Sequence, residues 1–448
     1  CSVFRGGFTL EAAEAVCGDE DAARVGHILS SLADKSLLRA APDPAGETRF
    51  SMLETIGEYA GERLAEGTEE PERARRHARY FRDLAEAASQ HLASGARSVW
   101  LARLDGEIAN LRAALAWAVA EEDVEVALGL AGGLAWYWIL RGSVREGAGW
   151  TERALALPVR PGAEGARGHA LYAGAAMAWK FEDHPLARRR AEEAVALLRK
   201  GSDSRRLALA LALRGLVASS EGDPGRAAEL HRESLALFRG LEDSWGTAYA
   251  ESNLGDALLQ TGDAAGAKAH YDDALRRFTE TGDDWGRGIV LHTLGNVAWI
   301  EGNLSTAGER YEACVALFRR MGNDENAARG LLCLSAVYLR QERTAEAEGV
   351  LREGLRIWLA FESKAGVAAC LEGLAGIQAA LGNLPAAVRL FAGAEVRSRG
   401  RITLYAVPGD LFSLHRVRTE KGLDPAEFAM YWAEGEGMSV RQLAGELG

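Results

Sequence analysis

The sequence predicts an all-α chain in which helical hairpins stack side by side into a right-handed superhelix. Three observations support this fold class: a motif recurs every 40 residues, apolar residues within each repeat are spaced three and four apart, and only 10 of the 448 residues are proline. Spacings of three and four place side chains on one face of a helix. Because a single hydrophobic core stops growing near roughly 250 to 300 residues, a chain of this length must form several domains or an open array.

A short turn motif sets the register of the repeats. It combines Gly with Asp or Asn, and it occurs at 221–223, 261–263, 301–303 and 381–383. Glu342 replaces the glycine in the turn between the last two. Stepping back from the first of these turns reaches the acidic pair 182–183 and then Gly142. Seven turns therefore share one register, and we expect a helical hairpin around each of them.

Small and large residues recur at fixed positions of the repeat. Alanine stands five residues after the turn position, a large residue follows four residues later in most repeats, and a small residue comes three after that. The alanines are Ala187, Ala227, Ala267, Ala307, Ala347 and Ala387. A large side chain beside a gap is typical of closely packed helices. The pattern therefore predicts a close crossing of two helices in every repeat.

A period near 40 residues also occurs in propeller blades and HEAT repeats. Segments such as 227–238 repeat apolar residues at three and four rather than at two, which excludes propeller blades. The combination of Leu-Gly in the first helix with Ala, an aromatic residue and Ala in the second resembles the tetratricopeptide repeat, and HEAT repeats lack that set. The resemblance implies a superhelix whose first helices line a concave groove.

The repeats are assigned to residues 141–400, after a helical connector and first layer at 61–140 and before a C-terminal helical cap at 401–448. Because tetratricopeptide repeats usually have a period of about 34 residues, we expect extra residues in the connection from each second helix to the next repeat. Trp245 and Trp285 are one repeat apart and are expected to pack that connection. Residues 158–168 contain two Pro and three Gly, which predicts a loop.

The first 60 residues predict a different domain. Helices are expected at 10–16 and 24–35 and strands at 36–40 and 48–52, with Pro42 opening the turn between the strands. This order is that of a winged helix that lacks its first helix, and the domain is placed at residues 1–60.

The amino-acid sequence of this segment shows a second resemblance to a known family. Ser-Val-Phe-Arg-Gly-Gly-Phe-Thr-Leu-Glu-Ala-Ala at 2–13, together with residues 32–38 and 50–56, resembles the segment after the ATPase module in bacterial STAND regulators of the LuxR-like kind. The resemblance implies a sensor array, and an ATPase upstream on which the winged helix packs. The chain itself lacks a P-loop, since residues 262–268 have the wrong spacing and no Ser or Thr after Lys268.

Composition argues against several function classes. The net charge is −12, and residues 1–60 hold five basic against ten acidic residues, so direct nucleic-acid binding is not expected. The five cysteines have no paired spacing, which predicts neither a disulfide framework nor a zinc site and indicates a reducing cytoplasm. No catalytic motif, cofactor motif or membrane segment is present. We therefore expect a non-enzymatic cytoplasmic protein without cofactor or metal.

A basic run precedes the repeats and has two interpretations. Its members are Arg73, Arg75, Arg76, His77, Arg79 and Arg82. They could grip an acidic partner or a phosphate. They could equally form a solvated face that Glu69, Glu70 and Glu72 balance, and this second interpretation is the more common one for such runs.

The candidate binding groove follows from the repeat register, which places polar and aromatic residues on the inner faces of the first helices. These residues are His169, Tyr172, Trp179, Lys180, Tyr249, Ser252, Asp256, His292, Asn296, Trp299, Arg329, Arg340 and Glu372. Leu209 occupies an equivalent inward position. Aromatic residues and Arg are frequent binding anchors. A solvated groove would carry polar groups too, so both interpretations stay open.

Two functions are consistent with these features. One is the effector- or partner-binding sensor arm of a STAND-type signalling or transcriptional regulator, which binds a protein, a peptide or a small ligand. The other is a freestanding tetratricopeptide scaffold with no switching role. The winged-helix segment favours the first, and a homo-oligomer is compatible with either.

Overall fold

The computed structural model describes residues 1–18, 22–42, 47–92, 96–398 and 412–445. The chain divides into two compact units, Cys1–Thr261 and Gly262–Gly448. Helices dominate both units, and the predicted fold class of tetratricopeptide-like hairpins behind a winged-helix segment is confirmed. No helix in the described ranges combines the length and apolarity needed to cross a membrane.

The N-terminal segment is a small α/β body. Its elements are β1 (Phe8–Thr9), α1 (Leu10–Cys17), α2 (Ala22–Asp34), β2 (Leu38–Pro42), β3 (Thr48–Met52) and α3 (Glu54–Ala65). The strands form an antiparallel sheet in the order β1-β3-β2, with Phe8 opposite Phe50. The two helices and two strands expected from sequence are present. The sequence did not predict β1, because a two-residue strand carries no periodicity, and residues 43–46 of the expected turn lie outside the described residues.

Two long helices follow, α4 (Glu70–Leu92) and α5 (Arg97–Ala120), and then shorter helices, which begin every 20 residues between residues 144 and 384. In the first unit these are α6 (Val124–Gly133), α7 (Ala135–Leu140), α8 (Val144–Leu155), α9 (Glu164–Lys180), α10 (His184–Leu198), α11 (Ser204–Ser220), α12 (Pro224–Gly240) and α13 (Ser244–Gln260). The loop expected at 158–168 is confirmed between α8 and α9, although Gly165 and Gly168 already belong to α9.

The second unit continues the same register. Its helices are α14 (Ala264–Glu280), α15 (Asp284–Ile300), α16 (Leu304–Arg320), α17 (Asp324–Arg340), α18 (Thr344–Ala360), α19 (Lys364–Ala380), α20 (Leu384–Ser398), α21 (Ser413–Lys421), α22 (Pro425–Gly437) and α23 (Val440–Gly445). The last three pack on α19 and α20, and Leu443 of α23 fills the space beside Gly393 of α20. Residues 399–411, where the cap was expected to begin, lie outside the described residues.

The lengthened period has a different origin from the one expected. A typical repeat consists of two 17-residue helices, such as α11 and α12, separated by three-residue turns. The expectation of a long connection between repeats is wrong, because the additional residues lengthen the helices themselves. Trp245 accordingly lies in the first turn of α13, where it is 4% exposed, and not against a loop.

The turn motif works through caps at both helix ends. In the turn after α11, Gly222 adopts a positive φ of 82°, and the Asp223 side chain accepts a hydrogen bond from the Arg226 backbone N–H at 3.0 Å. The same pairing of a left-handed residue with an Asp or Asn cap recurs through the register. Glu342 takes the left-handed conformation with φ of 61°, where glycine would be less strained.

The alternation of large and small residues packs the hairpins. All six repeat alanines are fully buried. Tyr311 of α16 lies over Gly295 of α15, where an added Cβ would be 2.5 Å from the ring. Phe238 closes against Gly246 of the next first helix in the same manner, at 2.1 Å. Close crossings of helices are thus built from glycine opposite an aromatic ring, as the sequence pattern predicted.

Candidate functional site

Helix α4 holds the winged-helix segment at one end. The Arg73 guanidinium donates to the carbonyls of Val16 and Cys17 at 3.3 Å, and Arg76 donates to the carbonyl of Gly18 at 2.9 Å. These carbonyls end α1, and basic side chains stabilise such helix ends. Part of the basic run therefore has a structural role within the chain, whereas Arg79 is exposed.

A buried polar network joins the same segment to α5. Asn110 accepts a hydrogen bond from the Arg5 backbone N–H at 2.6 Å and donates to the Gly7 carbonyl at 2.8 Å. Beside it, Arg49 of β3 forms an ion pair with the buried Glu107. Burial lowers the pKa of His77, which contacts Asn110, to about 4. The network lies beside a continuous apolar core. The winged-helix segment therefore packs on α4 and α5 through apolar contacts as well as through hydrogen bonds.

The other end of α4 lines a cavity of about 160 Å³, which we call the arginine cavity. Ser89 and Gln90 of α4 form one side of it. The remaining wall consists of Trp136 of α7, His169 and Tyr172 of α9, Asp203 at the start of α11, and Arg205, Arg206 and Leu209 of α11. One continuous helix of 23 residues thus reaches from the winged-helix segment to this cavity.

Aromatic rings cluster beside the arginine cavity. Trp245 and Tyr249 of α13 stack with ring centroids 5.2 Å apart, and Trp136 meets each of them edge-on at 6.4 Å. His169 and Tyr172 stack at 6.2 Å on α9. Edge-to-face and stacked pairs of this kind stabilise a rigid wall.

Charge in the arginine cavity comes from two neighbouring arginines and from Asp203. Arg205 donates from Nε to Asp243 at 2.9 Å. Arg206 lies 3.2 Å from Asp203 and 3.8 Å from Glu86. Burial, reinforced by these two positive charges, lowers the pKa of His169 to about 3, so its ring is neutral near pH 7. Burial also raises the pKa of Tyr172.

Seven polar or aromatic residues were predicted from sequence for the inner face of the first unit. Three of them lie in or beside the arginine cavity, and four do not line it. His169 and Tyr172 line the arginine cavity, and Tyr249 belongs to the aromatic cluster beside it. Trp179 donates from Nε1 to the Ser220 hydroxyl at 3.0 Å. The others are Lys180 and Asp256, which are partly exposed, and Ser252, which is buried.

In the second unit, half of the predicted residues are buried between helices. The Tyr311 hydroxyl donates to Asn296 at 2.8 Å, and His292 lies 3.5 Å from the Cys333 sulfur. Trp299 is 7% exposed and belongs to the hydrophobic core of the unit.

The charged members of this group are more accessible. Arg329 forms an ion pair with Glu325 at 2.6 Å, and Arg340 is exposed, with its guanidinium 5.7 Å from the Trp299 ring centroid. Burial raises the pKa of Glu372.

Several residues of the arginine cavity were not selected from sequence. Arg205 precedes the inward Leu209 by four residues and therefore shares its helix face, which is a signal that the register contained. Trp136 and Ser89 come from helices outside the clear repeats, so no register pointed to them. Within the described residues, no group of three or more His, Cys, Asp or Glu side chains could hold a metal ion.

Two thiols lie close together in the N-terminal segment. The sulfur atoms of Cys1 and Cys17 are 4.0 Å apart, and both residues are partly exposed free cysteines. Sequence spacing did not suggest a pair, because the contact depends on how the chain start packs beside the end of α1.

Family models match two parts of the chain. A winged helix-turn-helix domain matches residues 1–65, and a tetratricopeptide repeat matches residues 246–320. Proteins named as HTH-type transcriptional regulators in Mycobacterium tuberculosis and Mycobacterium bovis are each 40% identical over 154 residues. That alignment covers 34% of this chain and only 17% of each relative.

Solved structures share the fold at low identity. A Rap protein complexed with Competence and Sporulation Factor is 12% identical, with a TM-score of 0.59, over 82% of this chain and 99% of that one. A STAND protein with a tetratricopeptide repeat sensor from Pyrococcus horikoshii is 14% identical, with a TM-score of 0.53, over 97% of this chain and 64% of that one. The chain thus contains a winged helix-turn-helix domain followed by tetratricopeptide repeats.

Proposed function

We propose that this chain is the effector- or partner-binding sensor arm of a STAND-type signalling or transcriptional regulator. The regulator names of the 40% identical relatives, the tetratricopeptide repeat sensor of the Pyrococcus horikoshii STAND protein and the winged-helix match at residues 1–65 of this chain support the proposal. Because the match spans 17% of each relative, an upstream ATPase module and a role in transcription are parts of the proposal. The arm itself carries out no catalysis in this scheme, and we expect no ATP turnover by it.

The observation that carries the proposal is the double role of α4. Its first turns hold the end of α1 through Arg73 and Arg76, while Ser89 near its end lines the arginine cavity. A ligand bound in the arginine cavity would contact α4 together with α9 and α11 and would therefore act directly on the helix that supports the winged-helix segment.

The mechanism is a shift between two arrangements of α4. A ligand changes such an equilibrium only by its difference in affinity for the two states. Moving it from 1:99 to 99:1 needs about 5.5 kcal/mol of differential binding. A peptide or protein that engages several hairpins could supply this, and the Rap protein of similar fold was solved in complex with Competence and Sporulation Factor.

The inward residues of both units form the proposed binding surface, each unit by its own face. In the first unit this is the face with Tyr172 and Tyr249, and in the second the face with Arg329 and Arg340. The alternative, a freestanding scaffold without switching, would use the same faces and leave α4 unchanged.

Hydrogen–deuterium exchange separates the two functions. Peptides selected from a random library against the whole chain serve as the probe once calorimetry shows that Tyr249→Ala, on the inner face of the first unit, weakens their binding. A sensor arm requires altered exchange in α1 and the first turns of α4 when such a peptide binds. Changes confined to α9, α11 and α13 would contradict the sensor function and favour the scaffold.

Arg76→Gln supplies a matched variant for the same experiment. It removes the hydrogen bond to the Gly18 carbonyl, so we expect unchanged peptide affinity but a smaller exchange response in α1. Arg79→Gln, at an exposed position three residues further along α4, should leave both quantities unchanged.

A further inference from the structure

We propose that the arginine cavity binds a carboxylate group whose attached ring or aliphatic chain lies against Trp136, Tyr172 and Leu209. The inference rests on the proposed function, because it names the chemistry of a ligand that the sensor arm would recognise. It follows from the hydrogen-bonding state of two arginines, from the charges around them and from the shape of the wall.

Both guanidinium groups retain hydrogen-bonding capacity. A guanidinium has five N–H donors in a planar fork that matches a carboxylate. Arg205 uses Nε for Asp243 at 2.9 Å. The contacts of Arg206, at 3.2 Å and 3.8 Å, are longer than the roughly 2.7 to 2.9 Å of a charge-assisted hydrogen bond. Donors from two adjacent side chains are therefore left to converge on one anionic group.

The carboxylates near the arginine cavity are already engaged by backbone groups. Asp203 accepts the Arg206 backbone N–H at 2.9 Å and caps α11, and Asp243 accepts the Gly246 N–H at 2.8 Å and caps α13. Their negative charge offsets the positive ends of two 17-residue helices. Asp203 itself lines the cavity, but one of its oxygens accepts the Arg206 backbone N–H and the other lies 3.2 Å from the Arg206 guanidinium, so the remaining guanidinium donors are the groups that can meet an added anion.

The side chains that line the cavity restrict which group can be attached to the bound carboxylate. Trp136 and Tyr172 offer ring surfaces, and Leu209 offers an apolar one. A volume of about 160 Å³ accommodates a group of the size of a benzoate and not a folded partner. The Nδ1 atom of His169 is buried without a hydrogen-bond partner among the described residues and lies against Gly132 of α6. A neutral His169 adds no positive charge, which leaves recognition of the anion to Arg205 and Arg206.

A carboxylate on an apolar group has two sources, a free small acid and the C-terminus of a peptide. Calorimetry on the full chain distinguishes them with three probes: benzoate, N-acetyl-phenylalanine and N-acetyl-phenylalanine amide. The carboxylate proposal requires at least one acid to bind with a dissociation constant below about 1 mM. Preference for benzoate indicates a small acid, and preference for N-acetyl-phenylalanine indicates a peptide terminus. The amide must bind at least about tenfold more weakly than the matching acid.

Arg206→Gln tests whether the guanidinium group of Arg206 binds the carboxylate. We expect it to weaken binding of the preferred acid at least about tenfold and to leave amide binding unchanged. Arg232→Gln on the exposed face of α12 is the control and should bind like the parent. Equal affinity for acid and amide, no binding of any probe, or an unaltered affinity in Arg206→Gln would overturn the proposal. A selected peptide that still changes exchange in α1 after Arg206→Gln would sink the carboxylate assignment while retaining the sensor function.

Discussion

At the scale of single residues, His231 shows how a repeat position can hold an unsuited side chain. It is 0% exposed, neither ring nitrogen has a hydrogen-bond partner among the described residues, and burial lowers its pKa to about 3. Equivalent positions carry Tyr271 and Tyr311. The ring lies over Gly215, in the space that an aromatic ring fills in those repeats.

His231→Phe should therefore stabilise the first unit. Removing two unsatisfied buried nitrogens while keeping a flat ring gains about 1 to 2 kcal/mol in the free energy of unfolding, because each lacks the partner that would offset its desolvation. Urea denaturation at pH 7 measures the change. Tyr311→Phe removes a satisfied hydroxyl and should instead lower the stability of the second unit. A loss of stability in His231→Phe would contradict the conclusion that the unpartnered ring nitrogens of His231 destabilise the folded first unit.

Trp299→Ala should act on stability and not only on binding. The indole is 7% exposed within a core, so its removal costs about 3 to 5 kcal/mol. Arg340→Ala at an exposed neighbouring position should stay within about 0.5 kcal/mol of the parent. Thermal unfolding followed by circular dichroism decides, and equal melting temperatures for the two variants would show that Trp299 is not a core residue.

Peroxide should join Cys1 to Cys17. Their sulfurs lie 4.0 Å apart, so two thiols and one hydrogen peroxide can give a disulfide and two waters after a small movement. Mass spectrometry should find the loss of two hydrogens in the peptide pair that holds them, and none in Cys17→Ser. The fully buried Cys314, Cys333 and Cys370 should remain reduced. A mixed pattern of oxidation across all five would show that proximity does not select the pair.

At the scale of elements, the capping residues at the helix ends define the hairpins more than the residues within the helices do. An Asp or Asn cap opens most helices of the register, and a left-handed residue closes the preceding one. Such caps contribute about 1 kcal/mol each and fix where the helix begins. Regular spacing of these signals explains why helices of equal length recur with so little drift.

Glu342→Gly tests the element scale directly. The left-handed φ of 61° strains a side-chain-bearing residue, so glycine should raise the free energy of unfolding by about 0.5 to 1 kcal/mol. Ala345→Gly, at an exposed position in the first turn of α18, should lower it because glycine is disfavoured in helices. Chemical denaturation of both variants provides the comparison. Shifts of stability in the same direction for both substitutions would contradict backbone strain at Glu342.

At the scale of the whole molecule, four buried histidines make stability depend on pH. Burial lowers the pKa of His77 and His292 to about 4, and that of His169 and His231 to about 3, from an ordinary value of 6.5. At a pH between the folded pKa of a histidine and its ordinary value of 6.5, the unfolded chain binds a proton that the folded chain does not. The free energy of unfolding is therefore complete above pH 6.5 and falls as the pH is lowered.

Denaturation across this window should show that dependence. Each histidine contributes a slope of up to about 1.4 kcal/mol per pH unit between pH 6.5 and its folded pKa. His231→Phe should reduce the slope in the first unit and leave the second unit unchanged. A flat profile from pH 6.5 to about 4 would mean that these imidazoles are solvated in the folded chain.

Local pattern in the sequence determined the hairpins, their register and the small residues at their crossings, because a turn motif, a cap and a helical period act over fewer than about 20 residues. It also determined the two helices and two main strands of the N-terminal segment. The tertiary structure alone decided that Trp299 and Asn296 are buried and that Arg205, Arg206 and Trp136 meet Ser89 around one cavity. Burial and convergence depend on contacts between helices far apart in sequence, and a repeat register specifies which face a residue occupies but not what covers it.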